Sequence, residues 1–175
     1  MSWQDHLKGD SLLWLLEPDS PGVRYLALRD LVDLPRNDPE LLAAQAAAHA
    51  HGPIAAILAK MNKAGYWAAP GPGYNPKYRS TVWSIIALAQ LGASAAHDER
   101  LARACAYVLD HALTPGGQFT ASGAPSGTAD CLQGNLCEAL IELGYDDPRL
   151  DAAFEWMARS VTGEGVAPAT DRQAA

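Results

Sequence analysis

Apolar residues recur at helical spacing along most of the chain, and Pro and Gly cut the pattern into short rods. A first helix is predicted from about Asp5 to Leu16, ending at Glu17-Pro18. A second runs from Val23 to Val32, with Leu26, Leu28, Leu31 and Val32 as its apolar side. Asp38-Pro39 then opens an Ala-rich rod to about Ala50, because Asp is a favoured cap and Pro fits the first helical position. His51-Gly52-Pro53 separates it from Ile54 to Asn62. A Gly/Pro/aromatic loop, Gly65 to Pro76, precedes a helix from about Tyr78 to Leu91 that Gly92 stops. Further helices are predicted from Asp98 to Ala112, Asp130 to Leu143 and Pro148 to Ser160, with a Gly/Ser/Pro-rich loop from Thr114 to Thr128.

The rods repeat. Leu91-Gly92 matches Leu143-Gly144 at a displacement of 52 residues, and Gly65-Tyr66-Trp67 matches Gly117-Gln118-Phe119 at the same displacement. Asp98-Glu99-Arg100-Leu101 matches Asp147-Pro148-Arg149-Leu150 at 49, and Asp38-Pro39-Glu40-Leu41 offers a third copy. Each unit reads as a helical hairpin. A hairpin buries only one side alone, so the copies must stack, as an open solenoid or as a closed ring. One helical-repeat domain over residues 1–162 is expected, with units at about 5–50, 54–112 and 130–160. Residues 163–175 read as an unstructured tail or as the truncated start of another repeat.

Gly65-Tyr66-Trp67, the aromatic/Pro loop after it and the run Lys77 to Gly92 resemble a repeat of the prenyltransferase and squalene-cyclase superfamily. The likeness spans roughly Ile54 to Ser160. It implies an all-α fold, a partial α/α toroid in which inner and outer helices alternate around a cavity that takes an isoprenoid-like or other small substrate. The alternative is an open α-solenoid, a non-catalytic scaffold binding a protein or peptide. The first unit, Pro21 to Leu31, is the more HEAT-like one. The family's Gln four residues before Gly-x-Trp is replaced by Met61 and Leu113, the cyclase Asp-rich acid motif is missing, and Asp130-Cys131 is one residue off the prenyltransferase zinc pattern. A toroid of this kind needs more helices than the chain supplies, so an N-terminal piece of a longer protein is expected, its partner being the missing C-terminal half or a second copy.

Composition narrows the picture. The 175 residues carry 13 Lys+Arg against 20 Asp+Glu, a net charge of −7, which argues against a nucleic-acid partner. Only 17 residues are Val, Ile or Thr, so extended sheet is not expected. Three cysteines give no disulfide framework and suit a reducing cytoplasm. No stretch is read as the roughly 20-residue apolar run of a membrane helix.

Chemistry is expected on one stripe. Cys131, Asn135, Glu138 and Glu142 lie at i, i+4, i+7 and i+11, and the 52-residue displacement sets Arg79, Trp83, Ile86 and Gln90 at the matching places. If these are inner helices, the stripe faces a cavity: Trp83, Asn135, Arg79, Gln90 and, from the loop, Tyr74 are the substrate-binding candidates. Cys131, Glu138 and Asp130 are the catalytic ones. A thiol at a helix start is a reasonable nucleophile, but no His neighbours it in sequence to act as base. The simpler readings are a solvated helix face and a small buried cysteine. His49 and His51 flank a helix end as capping cations, no metal-ligand spacing occurs, and no cofactor is expected.

Overall fold

Asp38, Asp98 and Asp147 each turn a carboxylate onto the backbone N–H two residues ahead, of Glu40, Arg100 and Arg149, at 2.8, 2.9 and 2.9 Å. Each begins a helix by accepting from a donor the helix itself leaves unpaired. The computed structural model describes residues 6, 8, 9 and 11–162. Its helices are α1 (Ser11–Leu15), α2 (Pro21–Asp30), α3 (Pro39–Ala50), α4 (Pro53–Leu58), α5 (Thr81–Gln90), α6 (Glu99–Ala112), α7 (Asp130–Glu142) and α8 (Arg149–Thr162). A 3₁₀ turn, Pro125–Gly127, precedes α7. The fold is all-α; among the described residues the extended pairing is confined to the isolated bridges Leu113–Phe119 and Thr120–Thr128.

The 52-residue displacement holds at the level of single hydrogen bonds. Asn62 N–H donates to Tyr66 C=O and Gly65 N–H to Asn62 C=O; Thr114 N–H donates to Gln118 C=O and Gly117 N–H to Thr114 C=O. The next residue's aromatic is buried in both loops, Trp67 and Phe119. Trp67 N–H donates to Thr81 Oγ1 at 3.2 Å, and Phe119 N–H donates to Gln133 Oε1 at 2.7 Å, with Thr81 and Gln133 again 52 apart. Helix ends repeat too. Gly92 and Gly144 adopt φ +78° and +68°, and Ala93 N–H to Leu88 C=O has its counterpart in Tyr145 N–H to Leu140 C=O, a Schellman closure. α2 ends differently: Asp33, at φ +58° and three residues past the helix, turns the chain so that Leu34 N–H donates to Leu28 C=O.

Packing follows the hairpins. α2 lies on α3, α5 beside α7, α6 on α5 and α8 on α7, while α4 joins α3 to α5. One continuous core runs through them, including Leu28, Leu41, Ile54, Leu58, Ile85, Leu101 and Leu140. Leu41, Leu101 and Leu150 are buried at the same place after each Asp cap, as are Ala44, Ala104 and Ala153. Glycine is required where each loop meets the second helix of its hairpin: a Cβ on Gly117 would stand 2.2 Å from Ala152 C=O of α8, and one on Gly65 2.9 Å from Arg103 C=O of α6.

Several boundaries differ from the sequence reading. α2 ends at Asp30, so Leu31 and Val32 are exposed and its buried side is Tyr25, Ala27 and Leu28. α5 starts at Thr81 because Tyr78 has φ +63°, which a helix cannot contain. The first helix is seen from Ser11; part of the segment before it, and residues 163–175, lie outside the described residues. Pro39–Leu58, with a mean hydropathy of 1.3, has the length and composition of a membrane span, which the sequence reading passed over. It is divided into α3 and α4 at Gly52, whose φ of +85° interrupts the helix.

Candidate functional site

The predicted stripe does lie on neighbouring helices, but it divides into two ends. At the start of α5, Trp83 donates its indole N–H to Tyr74 C=O at 2.8 Å. Its ring tilts against Tyr74 and Tyr78, with centroids 5.4 and 4.9 Å away, and Lys77 sits 5.5 Å over the Tyr74 ring. Arg79 is exposed beside this cluster. Asp130 and Cys131 occupy the first turn of α7 and are both exposed, so the expectation of a small buried Cys131 is corrected. The buried thiols are Cys105 and Cys137, pushed up by burial to about 12 and about 11, which keeps both protonated.

At the other end Gln90, Asn135 and Glu138 come together. With Ile86, Ala89 and Glu142 they line a shallow groove of about 180 Å³ between α5 and α7, which Arg29 of α2 borders. Asn135, Glu138, Glu142 and Gln90 are exposed there. Eleven residues of α-helix place Cys131 about 16 Å from Glu142, so one small ligand cannot touch both ends of the stripe. Among the described residues no group of three His, Cys, Asp or Glu is placed to hold a metal ion.

A larger concavity lies where the stripe ends, and the sequence reading missed it. A cleft of about 720 Å³ opens between the α2–α3 hairpin, the turn that follows α5 and the end of α7. Its floor is Gly92-Ala93-Ser94. The hairpin reaches that floor by close packing: a Cβ on Gly92 would stand 2.4 Å from the Tyr25 ring. Gln45 Nε2 donates to Tyr25 OH at 2.9 Å and to Gly92 C=O at 3.4 Å. His49 completes the junction, its Nε2 accepting from Ser94 N–H at 3.0 Å. That acceptor must be unprotonated, and burial together with nearby His97 and Arg100 lowers the His49 pKa despite the opposing pull of Asp98. His49 is therefore a neutral structural bridge and not the capping cation expected.

The charges lining the cleft lean negative by a narrow margin. α2, α5 and α7 all end at it, and each helix C-terminus carries partial negative charge. Asp30, Asp33 and Glu142 outnumber Arg29 and Arg36 on its walls. Arg29 and Asp30 offset each other, Asp30 accepting from the guanidinium at 2.5 and 2.8 Å while the Arg29 charge rests 5.6 Å from the Tyr25 ring, which leaves Asp33 and Glu142 against Arg36. The described ion pairs do not engage Asp33 or Glu142. Such a surface attracts cations. No family model matches the chain, and no curated protein or solved structure was found to be similar to it.

Proposed function

We propose that this chain is a non-catalytic helical-repeat scaffold, a toroid-type array of hairpins whose cleft between the α2–α3 hairpin and the ends of α5 and α7 binds a basic peptide segment. The observation that carries the reading is the convergence of three helix C-termini and the Asp33 and Glu142 carboxylates on one open cleft of about 720 Å³. The resemblance of the hairpins to toroid repeats supports the arrangement. An isoprenoid, the other ligand that resemblance implies, calls for an apolar chamber, and these walls are charged. Cys131, Asp130 and Glu138 lie away from the cleft floor and bring no base to a nucleophile. The three free thiols support a reducing, cytoplasmic setting as part of the same proposal.

The test is a titration with a labelled, Gly-spaced Lys/Arg peptide and with its Asp/Glu counterpart. The basic peptide should bind, weaken as salt rises, and lose roughly tenfold in affinity with Asp33→Asn plus Glu142→Gln. Equal binding of the acidic peptide, or indifference to the double substitution, would refute the proposal.

A further inference from the structure

Among the described residues, the α7–α8 hairpin leaves open a surface whose counterpart one hairpin earlier is covered. A groove of about 280 Å³ runs between α7 and α8, lined on α7 by Gly134, Cys137, Glu138, Ile141 and Glu142 and on α8 by Phe154 and Met157. Counting back 52 residues on the inner helix gives Val82, Ile85, Ile86, Ala89 and Gln90; counting back 49 on the outer helix gives Cys105 and Val108. Every lining residue thus has a counterpart one unit earlier. There Val82, Ile85, Cys105 and Val108 are fully buried, and Ala89 nearly so. The next inner helix of the array, α7, packs beside α5. Ile141, by contrast, is 56% exposed where Ala89 is 9%.

The substitutions between the two units also define the charge at the edge of the groove. Ile86 and Gln90 face Asn135, Glu138, Ala139 and Glu142 across the α5–α7 groove. At the open groove their places are taken by Glu138 and Glu142, two carboxylates four residues apart on one helix face. A helix docked as α7 docks on α5 would set its own equivalents of positions 138 and 142 against those acids. A second copy presenting this same face would oppose carboxylate to carboxylate, which is unfavourable.

We infer that the α7–α8 groove docks an amphipathic helix of a partner protein, apolar on the face that enters between Ile141, Phe154 and Met157, with Lys or Arg along the edge that meets Glu138 and Glu142. The helix packs parallel to α7 as the next inner element of the array. This site is distinct from the cleft, although Ile141 and Glu142 border both.

Two capped synthetic peptides of residues 129–145 probe the groove: the native α7 sequence, and the same sequence with Glu138→Lys and Glu142→Lys. Binding to the full chain is read by fluorescence anisotropy. The Lys peptide should bind about tenfold more tightly than the native one, the ratio expected when two exposed like-charge contacts become opposite-charge contacts. Met157→Asp in the chain should weaken the Lys peptide at least tenfold although it adds a carboxylate, because the apolar seat is lost. Asp33→Asn, which alters the cleft alone, should leave it unchanged. Circular dichroism confirms that each variant is folded. Equal affinity of the two peptides, or no binding, would overturn the inference. So would a loss on Asp33→Asn without a loss on Met157→Asp, which places the peptide in the cleft, or self-association of the chain that Met157→Asp abolishes, which makes the occupant a second copy.

Discussion

Replacing Gln133 tests how the repeat is held together. Its side chain is buried, and three backbone bonds reach two segments: Oε1 accepts from Phe119 N–H at 2.7 Å, and Nε2 donates to Gly117 C=O of the same loop and to Ala153 C=O of α8, both at 3.0 Å, with Cys137 Sγ 3.9 Å away. It therefore links the loop before α7 to α7 and to α8. Gln133→Leu keeps the size and removes all three bonds, leaving Phe119 N–H without an acceptor in the core. At about 0.5–1.5 kcal/mol net per bond, with a further penalty for the stranded donor, the expected loss is about 2–4 kcal/mol. For a chain of this length that lowers Tm by roughly 4–16 °C. Gln133→Glu separates hydrogen bonding from shape. A neutral carboxyl can donate to one carbonyl while its other oxygen accepts from Phe119; the carboxylate faces two carbonyl oxygens and is desolvated. Its folded-state pKa is thus raised above the unfolded value of about 4.3. The variant keeps most of its stability below that pH and loses it as pH rises through the raised value. Urea unfolding at matched pH, variant against wild type from pH 4 to 8, reads both effects. A Gln133→Leu loss under about 0.5 kcal/mol, or a Gln133→Glu deficit that does not grow with pH, would refute the argument.

Two further outcomes are expected. Gly117→Ala should cost more than Gly144→Ala: both positions have positive φ, but a Cβ at 117 meets Ala152 C=O at 2.2 Å whereas one at 144 meets nothing within 4 Å. Thermal melts should show a loss of about 1 kcal/mol at 144 and clearly more at 117, and equal losses would contradict the close approach. His49, held neutral by its bond from Ser94, has a lowered pKa, so its contribution is complete above the unfolded value near 6.5 and falls away as pH drops below it. Denaturant titrations of wild type should lose stability between about pH 7 and 5, and His49→Gln should flatten that slope; an unchanged slope would place the proton uptake elsewhere.

The hairpins were legible because their punctuation is chemical. Asp38, Asp98 and Asp147 cap, Gly92 and Gly144 stop, and the loops reuse Gly65 and Gly117 where no side chain fits. α2 ends with no glycine to mark it, its left-handed residue being Asp33, so periodicity alone carries α2 two residues too far and assigns Leu31 and Val32 to a face they do not have. Gln133 gave no local signal; only its register with Thr81 marks it as the loop's acceptor. The cleft was hidden for a different reason. It depends on how the first hairpin meets the second, through Tyr25 against Gly92 and His49 beneath Ser94, and no spacing within either hairpin encodes that meeting. The polar stripe is visible in the sequence, but periodicity fixes only which residues share a face and not whether they share a site.

Ile86 and Glu138 show what the repeat conserves and what it leaves free. They occupy the same position 52 residues apart, on helices that end alike although α7 begins three residues earlier in register, and the substitution interrupts neither helix. Backbone geometry in this array is set by the loop hydrogen bonds, the Asp caps and the left-handed stops, none of which uses the side chains of Ile86, Gln90, Glu138 or Glu142. These positions are therefore released from that task. An apolar residue there is retained where another helix of the chain covers it, and a carboxylate stands where a different surface must be met. The change from Ile86 to Glu138, and from Gln90 to Glu142, thus marks where packing within the described helices gives way to an open surface: both carboxylates border the α7–α8 groove, and Glu142 borders the cleft as well.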